Sequence, residues 1–323
     1  MADRLAATAF EPDLWDRLTA VCDVPDRVPL TTFADPRARE LLSRCEVLLA
    51  HWGCPVIDET VLAAAPRLRL VAYAGGSVRA IASPALWASG VTVTSAAWAN
   101  AQPVTEYALA AILFAGKDAF VAREEYRARR SRMPRWRAGG NRGRRVGVVG
   151  ASHTGRRLIE LLRPFDLEVV VADPYLDAAD AAVLGVRRVE LDELLRTSDV
   201  VTLHVPELPS TRHLIDRAAL GLMRPGTVLV NTSRGSIVDE EALVEELRSG
   251  RLSAVLDVTA VEPCPDDSPL HELPNVFLTP HIAGAAGAEV PRLTRLAIDE
   301  IERYARGLRP RFEVTEDDLA RIA

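Results

Sequence analysis

Three separated stretches in the C-terminal half carry side chains able to do chemistry together: Asn231-Thr232-Ser233-Arg234-Gly235, Asp257-Val258 running on to Glu262-Pro263, and Thr279-Pro280-His281. They offer a permanent cation in Arg234, a carboxylate in Glu262 and, in His281, an imidazole able to give and take a proton. A cation that holds an anion beside an imidazole–carboxylate pair is what proton transfer on a small organic acid requires. Taken singly, each has an ordinary explanation: a surface ion-pair arginine, a loop histidine after proline, a surface acid before proline. Placement joins them. Each stretch follows a short apolar run that reads as a strand, at 227–230, 254–256 and 276–278, and in an open α/β sheet the loops beyond strand ends converge on the ligand crevice.

The elements that must position these residues read as alternating strands and helices. Further strands are expected at 47–50, 70–74, 91–94, 146–149, 169–172 and 200–203. Helices are expected near 154–164, 214–223 and 239–249, the last closed by Gly250, and a final amphipathic helix near 290–306. From Asn100, a candidate helix cap, an apolar helical period runs through Val104, Leu109, Ile112 and Leu113 towards Arg130. Alternation of this kind implies a doubly wound parallel sheet.

The strand at 146–149 leads into Gly150-Ala151-Ser152-His153-Thr154-Gly155 and then a helix. A tight glycine turn at a helix N-terminus presents backbone N–H groups and the positive end of the helix dipole to a pyrophosphate. The first and last glycines of G-x-G-x-x-G are present, but Ser152 replaces the middle one. Its Cβ pushes a dinucleotide outward, or its hydroxyl donates to a phosphate oxygen. Asp173 ends the next strand, 18 residues beyond Gly155, near the ~20 expected of the acid that holds the ribose hydroxyls. An acid there repels a 2′-phosphate, so NAD is favoured over NADP.

Composition bounds the rest. With 323 residues, two domains are expected. A net charge of −6 argues against a nucleic-acid binder. The ten arginines between Arg123 and Arg145 then read as a solvated, subunit-contacting helix and loop anchored by Trp136 rather than a nucleic-acid arm. The four cysteines, Cys22, Cys45, Cys54 and Cys264, show no disulfide framework and no metal-ligand spacing, so no metal is expected. No signal peptide or bilayer-spanning run is legible, and the cytoplasm is the expected compartment, with no further regulatory domain after Ala323.

From about Glu46 to Gly284 the chain resembles the D-isomer-specific 2-hydroxyacid dehydrogenases. The phrases that carry this are Asn100-Ala101 with Val104-Thr105-Glu106, Val146-Gly147-Val148-Val149-Gly150, Ala172-Asp173-Pro174-Tyr175 and Asp199–Pro206 with Thr211. They continue through Leu229–Gly235 with Val238-Asp239-Glu240, Leu256-Asp257-Val258 with Glu262-Pro263, Pro269-Leu270 with Leu273-Pro274-Asn275, and Thr279–Gly284. The resemblance implies an α/β fold of two doubly wound parallel-sheet domains. One is a Rossmann NAD-binding domain over 100–284, inserted into a discontinuous flavodoxin-like substrate domain, 1–99 and 285–323. It also implies an active site in the cleft between them and a homodimer through the NAD-binding domains.

The resemblance further implies roles. Arg234 pairs with the substrate carboxylate and 2-oxo oxygen, His281 moves the proton, and Glu262 fixes its tautomer. Asp257 accepts from the nicotinamide carboxamide; the alternative is a cap for the turn that follows. Gly150, Ser152, His153, Thr154, Gly155, Asp173, His204, Val205, Pro206, Thr211, Thr232, Ser233 and Val104 complete the expected NAD site. His204 can equally be a packed structural histidine, and His153, His213 and His271 are weaker candidates. Substrate contacts are expected from His51, Trp52, Gly75, Gly76 and Ser77, with Arg234 and His281. Core packing is the alternative for Trp52. The loop Gly75-Gly76-Ser77-Val78-Arg79 departs from the family's G-x-G-x-D type, which leaves the substrate open. The expected activity is NAD-dependent interconversion of a small 2-oxo acid and its D-2-hydroxy acid. A non-enzymatic NAD-sensing protein and oxidation of another small anion such as phosphite are the alternatives.

Overall fold

The computed structural model describes residues 3–130 and 139–320; Trp136 lies outside them. The chain divides into two compact units, one of residues 1–100 with 285–323 and one of 101–284.

In the first unit β1 (Val47–His51), β2 (Leu70–Ala74) and β3 (Thr92–Ser95) form a parallel sheet in the order β1-β2-β3. Alternate residues of β2 serve opposite faces, as the pleat requires. Leu70, Ala72 and Ala74 pack with Leu14, Leu18 and the helix Val290–Ala305, whereas Val71 and Tyr73 pack with Val61 and Leu86. Three strands are fewer than a full flavodoxin order, and the chain ahead of β1 forms helices at Asp3–Ala9, Pro12–Val21 and Pro36–Arg44.

In the second unit β4 (Arg144–Val149), β5 (Leu167–Ala172), β6 (Arg187–Arg188), β7 (Val200–Leu203), β8 (Val228–Asn231), β9 (Ser253–Leu256) and β10 (Val276–Leu278) are parallel throughout. Their order is β10-β9-β8-β7-β4-β5-β6. The chain starts in β4, builds outward to β6, then returns to β7 on the other side. The ends of β4 and β7 are therefore the topological switch point, where open α/β sheets bind ligands.

Helix starts follow side-chain caps. Ser152, Asp216 and Asp239 accept from Gly155, Ala219 and Ala242 N–H, which places those helices at His153–Leu162, Arg217–Leu222 and Glu240–Arg248. Asn100 is not a cap: the helix begins earlier, at Ala97, where Ser95 Oγ accepts from Ala97 N–H at 3.0 Å. Nor does the helical period run unbroken to Arg130. The helix stops at Ala115, and a second spans Ala119–Arg129 behind a left-handed Asp118 (φ 53°). Asn141 causes the break: its side chain fills the space where a Cβ on Gly116 would lie, and its Nδ2 donates to Leu113 O at 3.2 Å.

Candidate active site

The Asn231–Gly235 stretch forms a turn held by its own first residue. Asn231 Oδ1 accepts from Ser233 N–H (3.0 Å) while its Nδ2 donates to Arg234 O (2.9 Å). Ser233 Oγ donates to Leu203 O at 2.7 Å, tying the turn to the end of β7. Gly235 is required because a Cβ there would lie 2.0 Å from the Thr259 carbonyl carbon and oxygen. That close approach seats the Arg234 loop on the segment leading to Glu262. Glu240 Oε2 adds a second tie, accepting from Ala260 N–H at 2.7 Å. Arg234 itself is half-buried, with Nη1 donating to Ser233 O.

Glu262 and His281 meet directly. His281 Nδ1 and Glu262 Oε2 are 2.6 Å apart, with both side chains partly open to solvent. A carboxylate can only accept, so Nδ1 carries the proton and Nε2 is the nitrogen left to exchange one with a ligand. His281 takes a left-handed backbone, φ 53°, which costs a non-glycine residue energy and needs outside support. Asp257 supplies it. Its backbone oxygen accepts from His281 N–H (2.9 Å), its Oδ1 from Ile282 N–H and Thr279 Oγ1, and its Oδ2 from Ala283 N–H. Asp257 is 1% exposed, with both carboxylate oxygens engaged. These bonds make it a cap for the following turn.

The glycine turn fits a dinucleotide. Gly150 has φ +96°, and a Cβ on it would strike the His204 carbonyl at 2.7 Å, so glycine alone brings the ends of β4 and β7 together. A Cβ on Gly155 would lie 2.0 Å from Gly150 O. Ser152 stands in extended backbone as the helix cap, and its Oγ accepts from Gly155 N–H at 3.4 Å, which keeps the hydroxyl proton available to donate. His153 and Thr154 occupy the first two helical positions behind it. Asp173 accepts from Ala151 N–H (2.6 Å) and Tyr175 N–H (2.7 Å), so the acid at the end of β5 also braces the turn. Thr232 Oγ1, buried at the end of β8, has no partner among the described residues, an orphan of the kind a bound ligand satisfies. Val104 and Val205 are half-buried, and Val205 lies against Gly150.

Other expected contacts fall differently. Thr211 Oγ1 donates to Pro206 O at 2.6 Å and accepts from Leu208 N–H, so it closes its own turn. His204 is 3% exposed, pairs through Nε2 with Thr202 Oγ1 at 2.8 Å, and burial pushes its pKa down to about 3. The ring is interior and neutral, and its buried Nδ1 has no partner among the described residues. His51 is 1% exposed, and its Nδ1 accepts from Trp52 N–H at 2.8 Å. Burial, its main influence, lowers its pKa to about 4. It therefore supplies no cation to an anionic substrate. Trp52 packs edge-on against the His51 ring and into the first unit's core, the alternative reading of that residue.

Gly75 admits the Tyr73 ring, which a Cβ would meet at 2.5 Å. Gly75 O accepts from Ala96 N–H (2.9 Å), and Ser95 Oγ donates to Gly76 O. In a trans peptide the N–H points opposite its C=O, so the Gly76 and Ser77 N–H groups turn away from Ser95 together.

Residues 109–283 match the D-isomer specific 2-hydroxyacid dehydrogenase, NAD binding domain. The chain is 38% identical over 284 residues to a D-3-phosphoglycerate dehydrogenase of Mycobacterium leprae, covering 85% of this chain but 52% of that relative. It thus spans about half that relative's length. To an (S)-sulfolactate dehydrogenase of Chromohalobacter salexigens it is 37% identical over 277 residues, covering 84% and 89% of the two chains. The chain belongs to the D-isomer-specific 2-hydroxyacid dehydrogenase family. Among solved structures, the apo D-mandelate dehydrogenase of Rhodotorula graminis superimposes with a TM-score of 0.82 at 27% identity, covering 95% and 94% of the chains.

Within this family member two site-forming residues escaped the sequence reading. Tyr107, one position past Val104-Thr105-Glu106, hydrogen-bonds Thr279 Oγ1 at 2.6 Å. Thr279 links it to Asp257. Thr279 lies inside a motif already singled out and Tyr107 just past one, but no spacing rule says that a helix residue at 107 touches a strand-end residue at 279. An open groove of about 870 Å³ is lined in part by His281, Glu262, Cys264, Phe277, Arg123 and Arg127. Those two arginines pair with Glu124.

Proposed function

We propose that the chain is an NAD-dependent oxidoreductase that interconverts a small 2-oxo acid and its D-2-hydroxy acid. The 2.6 Å contact between His281 Nδ1 and Glu262 Oε2 carries this reading. With Nδ1–H held by Glu262, His281 Nε2 gives its proton to the 2-oxo oxygen in reduction and takes it from the hydroxyl in oxidation. Arg234 pairs with the substrate carboxylate and polarises the 2-oxo oxygen beside it. Bound NAD(H) supplies the hydride acceptor or donor. Gly150, Ser152, His153, Thr154, Gly155, Asp173, Thr232 and Ser233 would hold it. The Asp173 carboxylate disfavours a 2′-phosphate, which supports NAD over NADP.

The second unit is accordingly the cofactor domain and the first the substrate domain, where the paired Gly76 and Ser77 N–H groups bind a carboxylate. The substrate class is read from the cations that the first unit's loops hold among the described residues. His51 is interior, where burial lowers its pKa to about 4, and Arg79 is exposed with one of its N–H groups turned to the Leu319 carbonyl. The relatives named for 3-phosphoglycerate and sulfolactate act on acids with a second anionic group; these loops favour an acid with one carboxylate and an uncharged remainder. A homodimer through the cofactor domains, supported by family resemblance, and a cytoplasmic setting complete the proposal.

The test is NADH oxidation with glyoxylate, hydroxypyruvate, bulkier 2-oxo acids and phosphorylated acids, with sedimentation of the same sample reading the dimer. Turnover is expected with the singly charged acids and at least about tenfold lower kcat/KM with phosphorylated ones, the cost of one missing charge-assisted contact. NADH binding without turnover of any acid would replace the enzyme with an NAD sensor.

A further inference from the structure

The turn that carries His281 is anchored from outside the sheet. Tyr107, on the helix Ala97–Ala115, places its hydroxyl 2.6 Å from Thr279 Oγ1, and Thr279 Oγ1 lies 2.7 Å from Asp257 Oδ1. Proton bookkeeping fixes the direction. Three donors converge on the Asp257 carboxylate, Thr279 Oγ1–H and the N–H groups of Ile282 and Ala283, so it accepts from each. Thr279 has one hydroxyl proton, and that proton goes to Asp257. Tyr107 must therefore donate to Thr279. Its pKa is raised, mainly by burial, with the Asp257 charge adding to the rise and the Thr279 hydrogen bond opposing it. The phenol keeps the proton it donates.

We infer that Tyr107 is a positioning residue for His281, acting through the hydrogen-bond chain Tyr107 → Thr279 → Asp257. Asp257 takes hydrogen bonds from Thr279 on one side of His281 and from Ile282 and Ala283 on the other, and its own carbonyl takes the His281 N–H. The left-handed backbone of His281 sits between these ties, and it is this conformation that brings Nδ1 to Glu262. Without the phenolic donor, Thr279 Oγ1 becomes a half-buried acceptor with no partner, and its hydroxyl can rotate away from Asp257. The tie on the N-terminal side of His281 loosens. Tyr107 touches neither reacting atoms nor His281, so its removal acts on alignment and not on binding.

The inference rests on the dehydrogenase reading, and two readouts keep the two separable. In the full-length protein, Tyr107→Phe is expected to lower kcat about 5–20-fold with KM and NADH affinity within twofold, the pattern of a misaligned acid–base group. Thr279→Val should give a similar loss, Thr279→Ser should restore most of it, and the double variant Tyr107→Phe/Thr279→Val should be no worse than Thr279→Val alone. Independently of turnover, the downfield imidazole N–H proton shared by His281 and Glu262 should broaden or vanish from the NMR spectrum of Tyr107→Phe. Unchanged kcat together with an unchanged downfield proton overturns the inference, as does a loss confined to KM. If the unsubstituted chain turns over no acid, the dehydrogenase reading fails, and the NMR comparison alone decides the role of Tyr107.

Discussion

At the scale of single residues, His281 and Glu262 define what the site can do, since one 2.6 Å contact sets both the tautomer and the nitrogen that faces a ligand. His281→Ala is expected to cut kcat by about 10²-fold or more, the usual share of general acid–base catalysis. Glu262→Gln keeps a hydrogen-bond acceptor for Nδ1–H but removes its charge, so it should lose less than His281→Ala. Stopped-flow NADH oxidation across pH 5–9 checks both, and near-normal turnover in His281→Ala would discard the mechanism. The trio's residue types were legible in the sequence because each stands just past an apolar run. Asp257 was legible as important, with a carboxamide contact and a turn cap as its two readings. Only the fold shows both of its oxygens taken by the 279–283 turn.

At the scale of elements, the glycine turn between β4 and its helix is a contact between backbones more than a sequence signature. Gly155 lies where any side chain would strike Gly150 O, so Gly155→Ala must push the helix off the strand. NADH affinity, read by fluorescence quenching, is expected to fall at least about tenfold in that variant, because the N–H groups of the helix N-terminus, where a pyrophosphate would bind, move with the helix. An unchanged Kd would show that the cofactor is held elsewhere. Ser152 is tolerated at the middle position because its backbone is extended and its hydroxyl caps the helix. Most strands of both units were legible, since each is a short apolar run closed by a turn. The helices before β1 and the break at Gly116–Asp118 were not. The break depends on Asn141 entering from a distant part of the chain, which no local period encodes.

At the scale of the whole molecule, two interior histidines couple folding to pH. Burial holds His51 near pKa 4 and His204 near 3, against about 6.5 in an unfolded chain. Between those values the unfolded state binds protons that the folded state does not. Stability is therefore full above about pH 6.5 and declines as the pH falls towards 4, by roughly 1 kcal/mol per pH unit for each histidine. Urea denaturation from pH 7.5 to 4.5 should show this slope, flattened in His51→Gln and in His204→Gln; equal slopes in all three proteins would rule the coupling out. By itself the sequence determined the parallel α/β architecture, the dinucleotide turn and the identities of Arg234, Glu262 and His281, because apolar period, glycine placement and side-chain chemistry are local properties. Tertiary structure alone decided that His51 and His204 are interior and neutral, that Thr211 closes its own turn, and that Tyr107 reaches Thr279. Burial and hydrogen-bond partnership depend on which distant segments pack together, and a linear pattern does not specify that.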